Sequence, residues 1–257
     1  MIKAILIASF CMSMFNFSQA LAGNSAKLTG KDTTITANIE KSKGKEKINA
    51  TLNDSTQKFS LNIGNAIAAG KFSDAMDIDM QVIDIDKDSK YRQIVVIGQG
   101  PDDDNDCRFY EYIDGSIVSC GSIKNVNQFK TTGDKTLQAD SWMGFWTLTE
   151  DYYFDSEAKT LIKRPKDIYT LDAEGKVVKK FALLTNRSDD SPAAGTLKAG
   201  TKFTVTKADI TPKCLDSEGN DNSFLCHWYY VKGSDGTEGW CRLQILQDNT
   251  EGLPWAG

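Results

Sequence analysis

The stretch HWYYVKGSDGTEGW, residues 227–240, contains a strand, a turn and the start of a returning strand. Its first residues are aromatic or β-branched, and the small and polar residues GSDGT then favour a reversal of the chain. Because neighbouring side chains of a strand point to opposite faces, Tyr229 and Val231 share one face, and Trp228 and Tyr230 share the other. Val231 is expected to face the core, so Trp228 and Tyr230 are expected to face outward.

The same style of sequence extends upstream to LKAGTKFTV, residues 197–205. Gly200 suits the tight turn of a hairpin, where a positive φ angle costs glycine little. Gly239, just before Trp240, lets two backbones approach closely where a strand bends to close a barrel. In this order and spacing, residues 177–246 resemble the bacterial Src-homology-3 domain, a small β-barrel of secreted and cell-wall proteins.

The resemblance implies a binding module. Domains of that family bind peptides, often those of peptidoglycan, in a groove lined by aromatic side chains. It therefore implies ligand-binding roles for Trp228, Tyr230 and Trp240, with a peptidoglycan peptide or a protein as the partner. An alternative role for Trp228 is to seal the end of the barrel as part of the core.

The cysteines near the C-terminus predict one disulfide bond and one free thiol. The insertion PKCLDSEGNDNSFLC departs from the family pattern by lengthening one hairpin, and a bond between Cys214 and Cys226 would staple it. Cys241 lies where the family usually has a buried aliphatic residue, which implies a buried thiol that acts as a small hydrophobe.

A second disulfide bond is predicted further upstream. The Asp-Gly pair at 114–115 is a strong hairpin signal, and a turn there would make Phe109 face Cys120. Cys107 would then lie diagonally across the same face from Cys120, within reach if the strands twist. We therefore predict a bond between Cys107 and Cys120.

The N-terminus is typical of an exported protein. Residues 1–22 combine an early lysine, a short apolar stretch and a small-residue cleavage pattern, which together predict a signal peptide. The rest of the chain has no apolar run long enough to cross a membrane, and the net charge is −5 with no run of basic residues. We expect a periplasmic or extracellular, wall-associated protein that is not embedded in a membrane and does not bind nucleic acid.

Short apolar runs recur through the chain, bounded by Gly, Asp or Asn, and they predict a mainly β protein. Residues 23–47 are predicted as a flexible N-terminal arm, with an edge hairpin as the alternative because TTITANI alternates like a strand. Residues 48–176 are predicted as a β-rich domain, either blade-like or a sandwich. Residues 177–257 complete the chain as the small SH3-like barrel with a C-terminal tail.

The acidic turn DIDKDS places Asp84, Asp86 and Asp88 at alternate positions. It resembles the edge of the blade repeats in integrin-type and VCBS-like propellers, although only one copy is visible. As a calcium loop the pattern is incomplete, because Ser89 replaces the glycine of the sharp turn and Val95 replaces the final glutamate. The two interpretations are a calcium site at the three aspartates and a solvated turn, and no other cofactor is expected.

Enzyme mechanisms that need an imidazole are poorly supported, because His227 is the only histidine. Its neighbour Cys226 would point to the opposite face of a strand, so we interpret His227 as a solvent-facing structural residue. The aromatic residues between Trp142 and Phe154 are predicted to form sheet core, with a sugar-binding face as the alternative. The sequence assigns no catalytic residue.

The sequence therefore leaves two functions open. The leading prediction is a non-catalytic exported protein whose SH3-like module binds a cell-wall peptide or a protein partner. The alternative is a secreted hydrolase that uses carboxylates alone, such as a glycosidase. Its candidate carboxylates near the aromatic residues are Glu111, Asp114, Asp140, Glu150 and Asp151. The sequence leaves the oligomeric state open.

Overall fold

The computed structural model describes residues 25–29, 33–42, 45–54, 58–62, 77–89, 93–100, 104–113, 116–215, 218–219 and 222–255. The predicted signal peptide, residues 1–22, lies outside the described residues. The chain divides into two units, Met1–Ala68 and Ala69–Gly257. None of the helices within the described ranges has the length and apolar composition that a membrane crossing requires.

The first unit contains a four-stranded antiparallel meander. Its strands are β1 (Ser25–Thr29), β2 (Thr33–Ser42), β3 (Lys45–Asp54) and β4 (Lys58–Asn62), and each pairs with the next along the chain. The alternation of TTITANI correctly predicted a strand, since β2 contains all seven of its residues. The segment predicted as a flexible arm contributes β1, β2 and the start of β3.

The second unit begins with a four-stranded sheet in chain order. Its strands are β5 (Asp77–Ile83), β6 (Gln93–Gln99), β7 (Asn105–Ile113) and β8 (Ser116–Val126). The central strand β6 reads QIVVIGQ and is buried at every residue except Gln99, as expected for a strand covered on both faces. Ile113 pairs with Ser116, the register predicted for a hairpin that turns at 114–115, two residues outside the described ones.

The third sheet packs against the second. Its strands are β9 (Gln128–Thr131), β10 (Thr136–Trp142), β11 (Thr147–Asp155) and β12 (Thr160–Arg164), in the order β12-β11-β10-β9. Every second side chain of β11 is buried, which matches a strand with one face toward a core. Tyr152 and Phe154 of that face join Val95 and Phe109 of the second sheet in one apolar cluster.

The fourth sheet is seven-stranded and curves as a half-barrel. Its strands are β13 (Tyr169–Val177), β14 (Phe181–Leu184), β15 (Ala193–Leu197), β16 (Lys202–Asp209), β17 (Trp228–Gly233), β18 (Glu238–Arg242) and β19 (Thr250–Glu251). They lie in the order β15-β14-β18-β17-β16-β13-β19. A 3-10 helix, η1 (Ser223–Cys226), precedes β17, and helix α1 (Leu243–Asn249) follows β18.

Two glycines permit the tight turn and the close strand approach in this sheet. Gly200 has a φ of +88°, so it adopts the left-handed conformation that the sequence predicted. The predicted hairpin is wrong, because the turn joins β15 to β16 and these two strands do not pair with each other. A Cβ atom on Gly239 would lie 2.7 Å from the carbonyl oxygen of Leu184, closer than side chains tolerate. Glycine is therefore required where β18 approaches β14, as the sequence also predicted.

The prediction of a mainly β fold is confirmed. Val231 is fully buried and faces the core of the fourth sheet, as alternation predicted, together with Leu183 and Val205. The predicted start of the C-terminal domain at residue 177 stays a prediction. In the structure that position is the last residue of β13, a strand that already belongs to the fourth sheet.

The cysteines follow the prediction in the C-terminal region and depart from it upstream. Cys214 and Cys226 form the predicted disulfide bond, and Cys241 is a buried free thiol. Cys107 and Cys120 are not bonded, and burial raises the pKa of each thiol to about 12. The predicted bond between Cys107 and Cys120 is therefore wrong. A β-bulge in β8 places Phe109 opposite Gly121 and takes Cys120 out of the predicted register.

Candidate functional site

The outer face of the fourth sheet carries two rows of aromatic and charged residues that run across β16, β17 and β18. The first, the Tyr230 row, consists of Lys207, Tyr230 and Trp240. The second, the Trp228 row, lies two positions along the same strands and consists of Asp209, Trp228 and Arg242. Residues in register on adjacent strands contact one another, so the side chains of each row pack together.

A β-bulge places Lys207 in the Tyr230 row. Val205 of β16 faces the core opposite Val231, and strict alternation would turn Lys207 inward as well. The register shifts at Thr206, so Lys207 is exposed and pairs with Tyr230 instead. The Nζ atom of Lys207 lies 5.1 Å from the centroid of the Tyr230 ring, within the range of a cation–π contact.

Tyr230 and Trp240 form an edge-to-face pair with ring centroids 5.1 Å apart. Both side chains are partly exposed, so each presents ring surface to solvent. Partial burial and a hydrogen bond to the Glu238 carboxylate raise the pKa of Tyr230, which keeps its hydroxyl protonated at neutral pH. Glu238 itself forms an ion pair with Lys232 at 3.7 Å.

The loop between β14 and β15 supplies a second cation to this face. A backbone hydrogen bond of 3.0 Å from the Thr185 N–H to the Pro192 carbonyl closes the loop. Arg187 of the loop lies with its guanidinium carbon 5.5 Å from the centroid of the Trp240 ring. The same guanidinium donates a 2.7 Å hydrogen bond to the buried carboxylate of Asp209, which fixes its orientation.

Arg242 supports the same loop and covers Trp228. Its guanidinium carbon lies 3.8 Å from the centroid of the Trp228 ring. It donates two hydrogen bonds to the Asp189 carboxylate, at 3.1 and 2.7 Å, and a third to the Cys226 carbonyl. The bidentate pair lowers the pKa of Asp189. Because Cys226 belongs to the disulfide bond, Arg242 connects that bond to the loop between β14 and β15.

These elements border a cleft of about 650 Å³, a volume typical of ligand-binding sites. Its lining residues are Ile168, Asn186, Arg187, Lys207 and Trp240. Arg187 already has Asp209 as an ion-pair partner, whereas Lys207 has no carboxylate within ion-pair distance among the described residues. The cleft therefore combines an indole ring with an uncompensated positive charge.

The structure brings two of the three predicted ligand-binding residues to this cleft. Trp240 lines it, and Tyr230 borders it through its contacts with Trp240 and Lys207. Trp228 lies on the predicted outward face but is only 2% exposed beneath Arg242, so its assignment as a ligand contact is corrected. The alternative role, a tryptophan that seals the sheet, describes its position.

The predicted calcium ligands lie in a turn whose polar groups bind one another. The Asp86 carboxylate accepts a 3.2 Å hydrogen bond from the Asp88 backbone N–H and lies 3.6 Å from the Lys135 ammonium. In the part of the chain that the structure describes, no three His, Cys, Asp or Glu side chains are grouped so that they could hold a metal ion. The turn interpretation accounts for these contacts, and a calcium site at Asp84, Asp86 and Asp88 stays a prediction.

Glu150 of β11 is the centre of a polar group, the Glu150 cluster, formed with the buried Tyr152 and Tyr169 and the exposed Lys163. Its carboxylate accepts hydrogen bonds from the hydroxyls of Tyr152, at 3.1 Å, and Tyr169, at 3.5 Å, and forms an ion pair with Lys163. Burial and the nearby carboxylate raise the pKa of Tyr169 to about 12 and also raise that of Tyr152. Both tyrosines therefore remain hydrogen-bond donors at neutral pH.

The other candidate carboxylates also have partners within the chain. Glu111 has no exposed surface, and its carboxylate lies 2.9 Å from the Lys159 ammonium. Asp140 and Asp151 accept hydrogen bonds from neighbouring side chains, and Asp114 lies outside the described residues. The hydrolase alternative stays a prediction, and no observation favours it.

Burial resolves two expectations about aromatic side chains and the histidine. Four of the aromatic residues between positions 142 and 154 are buried, which confirms the core interpretation for Phe145, Trp146, Tyr152 and Phe154. Trp142 is 40% exposed. His227 is buried instead of facing solvent as expected, because η1 folds the preceding segment over it and places the Phe224 ring 5.9 Å from its own.

Sequence analysis missed most of the cleft lining, namely Ile168, Asn186, Arg187 and Lys207. Arg187 is the single basic residue of the loop NRSDDSPAAG, and an isolated cation among acids was a usable signal. The sequence around Lys207 contains no signal that predicts the bulge that exposes it.

Comparison of the chain with protein-family models, with curated proteins and with solved structures found no match. The resemblance of residues 177–246 to the bacterial Src-homology-3 domain stays a prediction from the residues that suggested it. The resemblance of the acidic turn to propeller blades also stays a prediction.

Proposed function

We propose that this chain is an exported, non-catalytic binding protein that holds an extended peptide in the cleft beside Trp240. The observation that carries the proposal is the Tyr230 row, in which two partly exposed aromatic rings contact each other, Lys207 lies over Tyr230, and Arg187 lies over Trp240. Aromatic rings bury large apolar areas without losing much side-chain freedom, and cations orient the polar groups of a ligand.

Two further features support this function. The disulfide bond between Cys214 and Cys226 is compatible with an oxidising compartment such as the periplasm or the cell exterior. The resemblance to the bacterial Src-homology-3 domain suggests a wall peptide as the ligand. A peptide segment of a protein partner has the same extended chemistry, so the test must separate the two sources.

The proposal is tested by measuring how tightly the full chain binds purified peptidoglycan sacculi, and in parallel an array of short synthetic peptides. Trp240→Ala is expected to weaken binding by about tenfold or more, because an aromatic anchor at the centre of a site dominates its affinity. Tyr230→Ala is expected to weaken binding with little change in thermal stability. Trp142→Ala is the matched control, since Trp142 is an exposed tryptophan at the end of β10 on another sheet.

Each outcome has a defined meaning. Binding to sacculi identifies a wall peptide as the ligand, and binding to the array alone identifies a protein segment. Release of soluble fragments from sacculi would instead support the carboxylate hydrolase. Binding to neither probe, or binding that Trp240→Ala and Tyr230→Ala leave unchanged, contradicts the proposal.

A further inference from the structure

We infer that the cleft recognises a carboxylate group of its peptide, and that Lys207 is the residue that binds this carboxylate. The inference rests on the proposed function, because it names the chemical group of the peptide that the cleft selects. It is carried by the charges on the outer face of the fourth sheet and by the partners that each charge already has.

Most charged side chains around the cleft are neutralised by one another. Arg242 pairs with Asp189 at 2.7 Å, on the far side of the loop that carries Arg187. Lys232 pairs with Glu238 at 3.7 Å, beyond Tyr230 in the sheet. These pairs have little charge left to offer a ligand, since each cation already has a carboxylate beside it.

Arg187 and Lys207 are left to set the charge of the cleft. Arg187 uses one nitrogen for Asp209, and its planar guanidinium has further N–H groups that a second carboxylate can use. Lys207 is exposed, lines the cleft and has no carboxylate partner among the described residues. A positive cleft on a chain with a net charge of −5 favours a negative group at this place over the rest of the surface.

The position of the carboxylate within the cleft also follows from charge. Glu238 lies beside the Tyr230 hydroxyl and disfavours a second carboxylate at that end of the row. Lys207 and Arg187 line the cleft from β16 and from the loop between β14 and β15. A peptide carboxylate bound between them can keep the adjoining apolar atoms of the peptide against Trp240.

The experiment compares native sacculi with sacculi whose carboxylates have been converted to amides, and sacculi whose amines have been acetylated. On the peptide array, each Asp or Glu peptide is paired with its Asn or Gln counterpart. We expect the chain to bind the amidated or Asn/Gln probes about tenfold more weakly, and to bind acetylated sacculi at least as well as native ones. Binding to the native probes is expected to weaken as salt is added, because the contact is between exposed charges.

Variants then assign the recognition to Lys207. Lys207→Gln should bind the native probes about tenfold more weakly and show no further loss on the amidated ones, since both changes remove the same contact. Lys207→Arg should retain the preference for carboxylates. Lys202→Gln is the matched control, because Lys202 is an exposed lysine of the same strand that does not line the cleft.

The results separate this inference from the proposed function. Equal binding to native and amidated probes would overturn the inference and leave the proposed function standing. A Lys207→Gln variant that still prefers carboxylates would overturn the role of Lys207. Binding to no sacculus and no peptide would overturn the proposed function, and the inference with it.

Discussion

The third and fourth sheets of the second unit each carry a cluster of polar side chains, and the two clusters lie in different surroundings. In the third sheet, Glu150 lies in the interior and takes its partners from two tyrosines and a lysine of the chain itself. In the fourth sheet, the interior is lined mostly by apolar and aromatic side chains, and the Tyr230 row lies on the outer face beside a cleft.

The difference separates a structural polar cluster from a binding surface. The polar groups of the Glu150 cluster bond to one another. A ligand would have to displace these hydrogen bonds and the ion pair in order to bind there. The Tyr230 row leaves an ammonium and an indole ring facing a cleft. A polar cluster therefore indicates a binding site only when some of its charged or hydrogen-bonding groups have no partner within the chain.

The disulfide bond next to the fourth sheet is expected to have the largest effect. Replacing Cys214 and Cys226 by serine should lower the free energy of unfolding by about 3 kcal/mol, because the closed loop restricts the unfolded chain. Peptide binding should also weaken severalfold, since the Cys226 carbonyl helps to hold Arg242 against the loop that carries Arg187. Urea unfolding and binding to sacculi measure the two effects.

The wild-type chain is its own control for this variant. A reducing agent should destabilise the wild type by the same amount and leave the serine variant unchanged, because the other described cysteines are already free thiols. A stability loss without any loss of binding would show that the cleft does not depend on the disulfide bond, and would weaken the connection drawn through Arg242.

Features that depend on local pattern were predictable from the sequence. The outward face of Tyr230, the positive φ of Gly200 and the close approach at Gly239 all follow from alternation and from the special geometry of glycine. The bond between Cys214 and Cys226 was predictable because a short polar insertion lies between two cysteines. The face of Tyr230 and the cysteine pair need only the residues within one hairpin, and the two glycines are marked by their own conformational freedom.

Features that depend on register were not predictable. A single extra residue in a strand reverses the faces of all the residues that follow. The bulge in β16 has no sequence signal of its own, whereas Gly121, which has a φ of +113° beside Cys120, was a usable signal for the bulge in β8. One bulge exposes Lys207, which alternation with Val205 would have buried, and the other separates Cys107 from the predicted partner Cys120. The burial of Trp228 depends on Arg242 of the neighbouring strand, which no inspection of β17 alone could show.

The Glu150 cluster is expected to have the next largest effect, and on stability alone. Glu150→Ala removes the acceptor for two buried tyrosine hydroxyls, so the free energy of unfolding should fall by about 2 kcal/mol. Binding to sacculi or peptides should not change, because the cluster does not line the cleft. Glu157→Ala, at an exposed glutamate of the turn after β11, is the control and should leave stability within about 0.5 kcal/mol of wild type. A loss of binding in Glu150→Ala with stability retained would mean that the third sheet contains a functional site after all.

The smallest effect concerns Asp189, the exposed carboxylate that Arg242 holds. Its pKa is lowered in the folded chain relative to the unfolded value of about 3.9, so the pair stabilises the fold above that pH. This contribution is lost as the pH falls through the folded pKa. It should amount to about 0.5 kcal/mol, because the Asp189 side chain is 70% exposed and water screens the pair.

Asp189→Asn should therefore be less stable than wild type at about pH 6, and the difference should disappear as the pH falls below the folded pKa of Asp189, as measured by urea unfolding. Asp190→Asn, at the exposed neighbouring aspartate, is the control and should be as stable as wild type at about pH 6. Binding should fall by less than about threefold in Asp189→Asn, because Asp209 still orients Arg187 after the Arg242 pair is lost. A larger loss of binding would mean that the loop between β14 and β15 is held mainly by Arg242. The cleft would then depend on the exposed pair of Arg242 and Asp189 more than on the buried Asp209.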